Sequence, residues 1–204
     1  MTDRFLDKAY GHGGGEEARR FYDEWAASYD EEIAENGYAT PRRCAEALIA
    51  AGAEPDWPVL DVGCGTGLSG AALRLAGFTR IDGVDPSPEM LKRAELRRLY
   101  RMLREIDPAA PLTAPAGIYR AAVAVGSMSP GLAPPEAIDQ ALAFLPSGGV
   151  LVFSLNDHAV EDGAHLARLR DVVDAGAAAI AVKEHGEHLP KIGLKSWVYA
   201  LRKT

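Results

Sequence analysis

The order of hydrophobic and polar positions along the chain predicts that strands alternate with helices. Short apolar runs bounded by turn residues are typical of buried strands, and longer stretches with apolar positions three or four apart are typical of helices. This alternation predicts an α/β protein with a doubly wound, mostly parallel sheet. Strands are predicted at residues 58–62, 80–84, 103–106, 118–125, 150–155, 178–182 and 196–201. Helices are predicted at residues 68–76, 87–102, 135–144 and 166–173.

Two further helices are predicted before the first strand. The first would carry an aromatic stripe on an otherwise charged surface, and such a stripe usually packs against a core. The second is predicted to start at Thr40-Pro41, a cap residue followed by proline at the first helical position, and to stop at Gly52. The stripe consists of Tyr22, Trp25, Ala26, Tyr29 and Ile33.

A glycine-rich loop follows the strand at 58–62. Gly63, Gly65 and Gly67 permit positive φ angles and let a ligand approach the backbone closely, since no Cβ stands in the way. Ligands of open α/β sheets bind beyond the carboxyl ends of the strands, where this loop lies. The alternative is a tight strand-to-helix turn without a ligand.

An acidic residue ends the next strand, about 20 residues after the loop. Asp85 in this position can accept hydrogen bonds from both hydroxyls of a ribose. Asp85 could instead cap the helix that starts at Ser87-Pro88, and the two roles are compatible. The pairing of Asp85 with the glycine loop favours a ligand that contains a nucleoside.

The charge of the ligand separates two nucleoside cofactors. The NAD fingerprint is G-x-G-x-x-G, but here the spacing is G-x-G-x-G, and Leu68 occupies the position of the third glycine. Asp61, inside the strand before the loop, would repel the pyrophosphate of NAD. The same carboxylate would attract the sulfonium and ammonium groups of S-adenosylmethionine. Methyl-donor binding is therefore favoured.

Four segments carry a resemblance to a known class. Asp-Val-Gly-Cys-Gly-Thr-Gly at 61–67 resembles the first motif of class I S-adenosylmethionine-dependent methyltransferases, and Ile-Asp-Gly-Val-Asp-Pro-Ser-Pro-Glu-Met-Leu at 81–91 resembles the second. Leu-Pro-Ser-Gly-Gly-Val-Leu at 145–151 resembles the turn before their fifth strand, and residues 21–30 resemble the leading helix of small methyltransferases. Within this class, the chain is similar to the Williams–Beuren-region methyltransferase-like proteins and their bacterial relatives.

The resemblance implies a seven-stranded sheet in which the last strand, 196–201, is antiparallel and inserted between two others. S-Adenosylmethionine would be the cofactor. Asp61 would lie near its methionine part, and the backbone of Gly63, Cys64 and Gly65 would approach the same part. The leading helix could then fold over the donor as a lid, with Tyr29 bonded to the methionine carboxylate.

The resemblance also assigns residues to the nucleoside. Asp85 would hold the ribose, while Pro86 and Met90 would pack on the adenine. Asp107 matches the acidic residue that usually meets the adenine amino group, although an Asp-Pro turn explains it equally well. Gly126, at the end of the fourth strand, would place its carbonyl near the amino group of the donor.

Catalytic residues are not indicated. The fourth strand starts with Tyr119-Arg120 where the class commonly has Tyr-Asp, and the signature of amino-group DNA methylation does not follow it. His158 is a candidate base, although a solvated loop histidine is the simpler interpretation. His185 and His188 form an H-x-x-H pair without further ligands, so no metal site is predicted.

Composition limits the partners. The formal net charge of −7 disfavours binding to nucleic acid. Two scattered cysteines, no signal peptide and no apolar run near the roughly 20 residues that cross a bilayer favour a cytoplasmic protein with no membrane partner. We expect one domain over residues 1–204, helical over 1–52 and α/β over 57–204, acting on a small molecule. The alternatives are a nicotinamide-dependent oxidoreductase and a non-catalytic binder of adenosyl ligands.

Overall fold

The computed structural model describes residues 5–8 and 14–204 of the chain. Its centre is a seven-stranded sheet in the order β3-β2-β1-β4-β5-β7-β6. The strands are β1 (Pro58–Val62), β2 (Arg80–Asp85), β3 (Met102–Glu105), β4 (Ala121–Ala124), β5 (Val150–Asn156), β6 (Ala178–Leu189) and β7 (Leu194–Lys203).

Helices cover both faces of the sheet. Short 3-10 turns at Phe5–Lys8 and Pro190–Ile192 add to them. The α-helices are α1 (Gly15–Trp25), α2 (Tyr29–Glu35), α3 (Thr40–Ala50), α4 (Leu68–Leu75), α5 (Pro88–Leu96), α6 (Ala137–Phe144), α7 (Asp157–Asp162) and α8 (Ala164–Asp174).

The strand directions confirm the predicted fold class. β1 to β5 pair in parallel, whereas β7 runs antiparallel to both of its neighbours, β5 and β6. The strand order reverses between β1 and β4: β2 and β3 follow β1 on one side, and β5 follows β4 on the other. Such a reversal opens a crevice at the carboxyl ends of the strands. This sheet is the Rossmann-like architecture that the resemblance implies.

The side chains of the central strands alternate between two apolar layers. Leu60 of β1 packs in one layer with residues of α6 and α8, and Val59 packs in the other with residues of α3 and α4. Alanine predominates on β4, whose four residues are all fully buried, and its small side chains let helices approach the sheet from both faces. The central strands are thereby held rigidly beneath the crevice.

The prediction of one N-terminal helix is wrong. The chain bends at residues 26–28, so that the aromatic stripe is divided between α1 and α2. Trp25 is fully buried and its ring meets the ring of Tyr29 edge-on, with centroids 4.7 Å apart. These rings belong to a third apolar cluster, which joins the N-terminal helices to Leu189 at the end of β6. The bend therefore divides the stripe between two helices, and both helices contribute side chains to this cluster.

Other predicted boundaries need correction. The helix after Ser87 ends at Leu96 rather than near residue 102, because Arg98 takes a positive φ of 53° and turns the chain into β3. Thr40 lies inside α3 rather than capping it, and its hydroxyl bonds Nδ1 of buried His188. His158 lies on α7 and not in a loop, because the Asn156 side chain accepts from the amide of Ala159 and starts a helix there.

Within the ranges 5–8 and 14–204, no helix is long and apolar enough to cross a membrane. The organisation as one domain over 1–204 stays a prediction, and residues 1–4 and 9–13 of its helical segment lie outside the described residues.

A buried arginine ties α3 to the β6–β7 hairpin. The guanidinium of Arg43 donates to the Glu184 carboxylate at 3.2 Å, to the Glu187 carbonyl at 2.9 Å and to the Ser196 hydroxyl at 3.0 Å. Its neighbour Arg42 forms only an exposed ion pair with Glu46.

We therefore expect Arg43→Ala to lower the free energy of unfolding by about 3 kcal/mol, because it leaves the buried carbonyl and hydroxyl of Ser196 and the partly buried carbonyl of Glu187 without this donor. The matched variant Arg42→Ala should change it by less than about 0.5 kcal/mol. Urea denaturation of both variants measures the difference, and equal effects would contradict the structural role of Arg43.

Candidate active site

A cleft of about 420 Å³ lies at the carboxyl ends of β1 to β4. Its floor is formed by the ends of these strands, and residues of α1 and α2 form its roof. Its far wall is the segment 104–113, which comprises the end of β3 and the first part of a helix-free connection to β4. Eight predicted site residues line the cleft: Tyr29, Gly63, Gly65, Asp85, Pro86, Met90, Asp107 and Gly126. Asp61 and Cys64 do not line it.

The glycine loop is fixed to the neighbouring strand by its own amides. The N–H groups of Gly63 and Cys64 both donate to the carbonyl of Val84, at 2.8 and 3.1 Å. The N–H of Gly65 donates to Oδ2 of Asp85 at 2.8 Å. Three successive donors are thus used within the protein, and they give the loop one shape between β1 and α4.

Two glycines of the loop are needed for different reasons. Gly63 has a φ of 69°, and a Cβ there would lie 2.5 Å from Cβ of Ser127, so this glycine permits close packing of the segment after β4. Gly65 has a φ of 53°, but a Cβ there would meet no atom within 4 Å. The backbone at Gly65 therefore faces open space in the cleft, where a ligand can approach it.

Asp85 carries a buried carboxylate at the edge of this loop. Oδ1 accepts from the amide of Ser87 at 2.9 Å, and Oδ2 accepts from the amide of Gly65. Burial raises the pKa of Asp85 to about 6, and the charge of Asp23 contributes to the rise. The helix cap itself is Ser87, whose hydroxyl accepts from the amide of Met90. Asp85 therefore orients the cap and also lines the cleft.

Asp61 lies behind the loop, fully buried. Its Oδ2 accepts from the hydroxyl of Ser69 at 2.6 Å and from the hydroxyl of Tyr100 at 2.7 Å. Its Oδ1 has no hydrogen-bond partner among the residues that the structure describes. Burial raises the pKa of Asp61 to about 6 against the lowering effect of the two hydroxyls. Tyr100 was not identified from the sequence, since no motif marks a tyrosine in the turn between α5 and β3.

The wall opposite the loop is largely apolar. Pro86 and the buried Met90 line it from the β2 side, and Ile106 and Leu112 line it from the segment after β3. Asp107 lines it too, although its Oδ1 accepts from the amide of Ala109 at 2.8 Å, as in an Asp-Pro turn. Sequence reasoning missed Ile106 and Leu112. A proline-rich connection of this length without a helix was the available signal, because such loops are commonly functional.

The roof is hydrogen-bonded to the floor by two acidic side chains. Asp23 of α1 accepts from the hydroxyl of Ser87 at 2.6 Å. Asp30 of α2 accepts from the hydroxyl of Thr66 in the glycine loop and from the guanidinium of Arg97. Between these two contacts, Tyr29 lines the cleft. The N-terminal helices therefore both pack through Trp25 and cover the cleft.

Three residues that the sequence analysis singled out lie away from the cleft: Arg120, His158 and His188. Arg120 precedes β4 at the opposite edge of the sheet, where its guanidinium stacks on Trp57 at 4.2 Å. His158 is exposed on α7, and His188 is buried against Thr40 with its pKa lowered by burial to about 4. The amide of Gly126, which does line the cleft, donates to the hydroxyl of Ser154 at 2.9 Å.

The fold and the site define a class I methyltransferase architecture: a glycine loop after β1, an acid after β2 and an antiparallel seventh strand. A family described as "Methyltransferase domain" matches residues 32–202, more than half of the chain. The chain therefore belongs to this family of S-adenosylmethionine-dependent methyltransferases. Membership favours the methyl-donor interpretation over a nicotinamide-dependent oxidoreductase.

Individual proteins extend the comparison. Methyltransferase-like protein 27 of Homo sapiens is 40% identical over 131 residues, which are 63% of this chain. The chain aligns with 54% of that protein, so it spans about half of its length. Two solved structures share the fold at low identity. The (4+2)-cyclase SpnF has a TM-score of 0.73 at 17% identity, covering 94% of this chain and 97% of that one. A SAM-dependent methyltransferase from Thiobacillus denitrificans, in complex with S-adenosylhomocysteine, has a TM-score of 0.58 at 15% identity, covering 81% and 92%.

The buried charge of Asp61 generates a prediction on stability. The pKa of Asp61 is about 6 in the folded protein and 3.8 ordinarily, so ionisation of this group opposes folding by about 3 kcal/mol once the pH is above 6. Below about pH 3 the carboxyl is protonated in both states and the cost vanishes.

We expect Asp61→Asn to remove this cost, because the asparagine oxygen still accepts from Ser69 and Tyr100. The free energy of unfolding of the variant, minus that of the parent protein, should rise by about 2.5 kcal/mol between pH 4 and pH 7.5. Urea denaturation of both proteins at the two pH values measures it. A constant difference would show that Asp61 ionises without cost.

Proposed function

We propose that this protein transfers the methyl group of S-adenosylmethionine to a small-molecule acceptor. The observation that carries the proposal is the cleft itself. It combines an open backbone at Gly65, a buried acid at Asp85 and an apolar wall at Met90 under a helical roof. Family membership supports methyl transfer as the reaction.

The residues of the cleft fit the donor in size and in chemistry. A cavity of about 420 Å³ is within the usual range for small-molecule sites. The space above Gly65 would admit a ligand against the backbone, and the lone pairs of Asp85 not used by amides would accept the ribose hydroxyls. Pro86, Met90 and Ile106 offer apolar surface for the adenine, with Asp107 at its rim.

The positive charge of the donor would meet a negative site. Asp61 and Asp85 are both buried, and each carries a raised pKa because a charged carboxylate is poorly solvated there. A nearby sulfonium or ammonium group would stabilise both charges, whereas a pyrophosphate would be repelled. Oδ1 of Asp61, buried and unpaired, adds to this preference because such an atom favours a cationic neighbour.

Catalysis by this chain would rest on positioning and on the exclusion of water. When bound, S-adenosylmethionine supplies an electrophilic methyl group on a positively charged sulfur. The roof of α1 and α2 would hold the acceptor in line and keep water out, and alignment alone can supply much of the rate acceleration. Tyr29, on the roof and facing the cleft, is suited to bond the methionine carboxylate. No acid–base pair is required for an acceptor that is already nucleophilic.

A small acceptor is favoured by the shape and the charge of the protein. Asp23 and Asp30 hold the roof over the cleft, and in the part of the chain that the structure describes the cleft is a cavity of about 420 Å³, a size suited to a small molecule. The net charge of −7 opposes binding to a phosphate backbone. We accordingly propose that neither nucleic acid nor a membrane is the partner, and that the protein acts in the cytoplasm.

Transfer of label from the donor tests the proposed acceptor class. The protein is incubated with S-adenosylmethionine carrying a tritiated methyl group and with a cell extract separated by ultrafiltration into small molecules and polymers. We expect label in the small-molecule fraction, and less of it with the Asp85→Ala variant when the donor concentration is below the dissociation constant of that variant. Label only in protein or nucleic acid would contradict the acceptor class. Donor binding without any labelled product would indicate a non-catalytic adenosyl-ligand binder.

The ribose contact gives a prediction for donor binding. Asp85→Ala removes charge-assisted hydrogen bonds to the ribose, which should cost roughly 1.5–3 kcal/mol, or about one to two decades in affinity. Titration calorimetry with S-adenosylhomocysteine measures the loss. The matched variant Asp85→Asn keeps the volume and one acceptor oxygen, so its loss should be smaller. If both variants bind as the parent protein does, Asp85 only orients the amides of Gly65 and Ser87.

A further inference from the structure

The ring of Tyr100 occupies space that three glycines leave open. A Cβ at Gly70 would lie 2.3 Å from the Tyr100 hydroxyl oxygen, one at Gly83 would lie 3.0 Å from its ring, and one at Gly67 would lie 3.2 Å from it. These glycines belong to the glycine loop, to α4 and to β2. One side chain from the turn before β3 is thus inserted where these three elements meet.

The hydroxyl of Tyr100 makes two hydrogen bonds in this position. It donates to Oδ2 of Asp61 at 2.7 Å and accepts from the amide of Gly70 at 3.1 Å. Gly70 lies in the first turn of α4, where helical amides have no partner within the helix. Tyr100 therefore joins the buried carboxylate to the start of the helix that follows the glycine loop.

Burial and the charge of Asp85 disfavour ionisation of Asp61, whereas two hydroxyls favour it. Cys44 of α3 and Cys64 of the loop are buried thiols near it, and Asp85 faces it from the end of β2. The hydroxyls of Ser69 and Tyr100 both donate to Oδ2 and so favour the ionised carboxylate. Because both hydroxyls donate to the same oxygen, the removal of either leaves the carboxylate with one of these two hydrogen bonds.

We propose that Tyr100 is a positioning residue for the methyl donor, which keeps Asp61 ionised and holds the glycine loop against α4. This inference rests on the proposed function, because the charge of Asp61 matters for binding only if the ligand is cationic. Tyr100 lies 39 positions from Asp61 along the chain and would act on the charge of the donor through that carboxylate.

The pH dependence of donor binding tests the proposal. Affinity for S-adenosylmethionine should fall as the pH drops through the pKa of Asp61, since the protonated carboxyl attracts a cation less. Tyr100→Phe keeps the ring but removes one donor to the charged form, so the midpoint of this fall should move up by about one pH unit. The variant should then bind about twofold more weakly at pH 7 and close to tenfold more weakly at about pH 5, and the difference should vanish at higher pH.

Two further variants control the experiment. Ser69→Ala removes the other hydroxyl on Oδ2 and should move the midpoint in the same direction. Tyr119→Phe removes a buried hydroxyl that donates to Oδ2 of Asp82 at 3.0 Å, on the other face of the sheet, and should leave the midpoint unchanged. Melting temperatures of the three variants show that each is folded.

An infrared titration of the ligand-free proteins gives a second readout that does not depend on the donor. The carboxylic-acid band that Asp61→Asn abolishes should titrate at a higher pH in Tyr100→Phe than in the parent protein. If the parent binds the donor but Tyr100→Phe shows an unchanged midpoint, or a loss of affinity equal at every pH, the inference is wrong. If the parent protein binds no adenosyl ligand, the proposed function fails and this inference fails with it.

Discussion

The carbonyl of Val84 accepts hydrogen bonds from two successive amides, those of Gly63 and Cys64, and the rest of the site depends on this arrangement. It joins the end of β1 to the end of β2. The next amide, of Gly65, then reaches Asp85, so the loop and the acidic residue cannot move independently. The positive φ of Gly63 is the condition for this path of the backbone, because it brings the loop against Ser127 without a clash.

A consequence of this geometry is that two carboxylates are buried close to one another. Asp61 and Asp85 each have a pKa raised to about 6, chiefly by burial, so both are costly to ionise in the ligand-free protein. Groups with such shifts cluster at functional sites, where stability is exchanged for a prepared electrostatic environment. The polar contacts of Asp23 and Asp30 then close the N-terminal helices over that environment.

The sheet and the residues at the ends of its strands could be predicted because local pattern determines them. Apolar runs mark buried strands, and the glycine loop and Asp85 directly follow two of them. Features that depend on distant contacts could not be predicted in this way. The positive φ of Arg98 ended a helix that the apolar pattern continued to about residue 102. Tyr100 reaches the site only because that turn directs it back over Gly70.

The position of Asp61 shows the same limit. From the sequence alone, the charge of Asp61 favoured S-adenosylmethionine over NAD. Its place behind the glycine loop, where it accepts a hydrogen bond from Ser69, depends on how α4 packs. The apolar spacing of the aromatic stripe was predicted correctly, but the prediction that one continuous helix carries it was wrong. The helix is interrupted at residues 26–28, where the chain packs both over the cleft and against Leu189. Tertiary contacts therefore determine helix boundaries and side-chain positions that hydrophobic periodicity does not predict.

The most direct test of the account is equilibrium binding of S-adenosylmethionine, S-adenosylhomocysteine and NAD to protein shown to be free of ligand. With an adenosyl ligand at 100 times its dissociation constant, the fold should gain about 2.7 kcal/mol, seen as a raised melting temperature. NAD at the same concentration should leave the melting temperature unchanged, because Asp61 repels its pyrophosphate. A melting temperature that responds to neither adenosyl ligand, or that responds equally to NAD, would contradict the account.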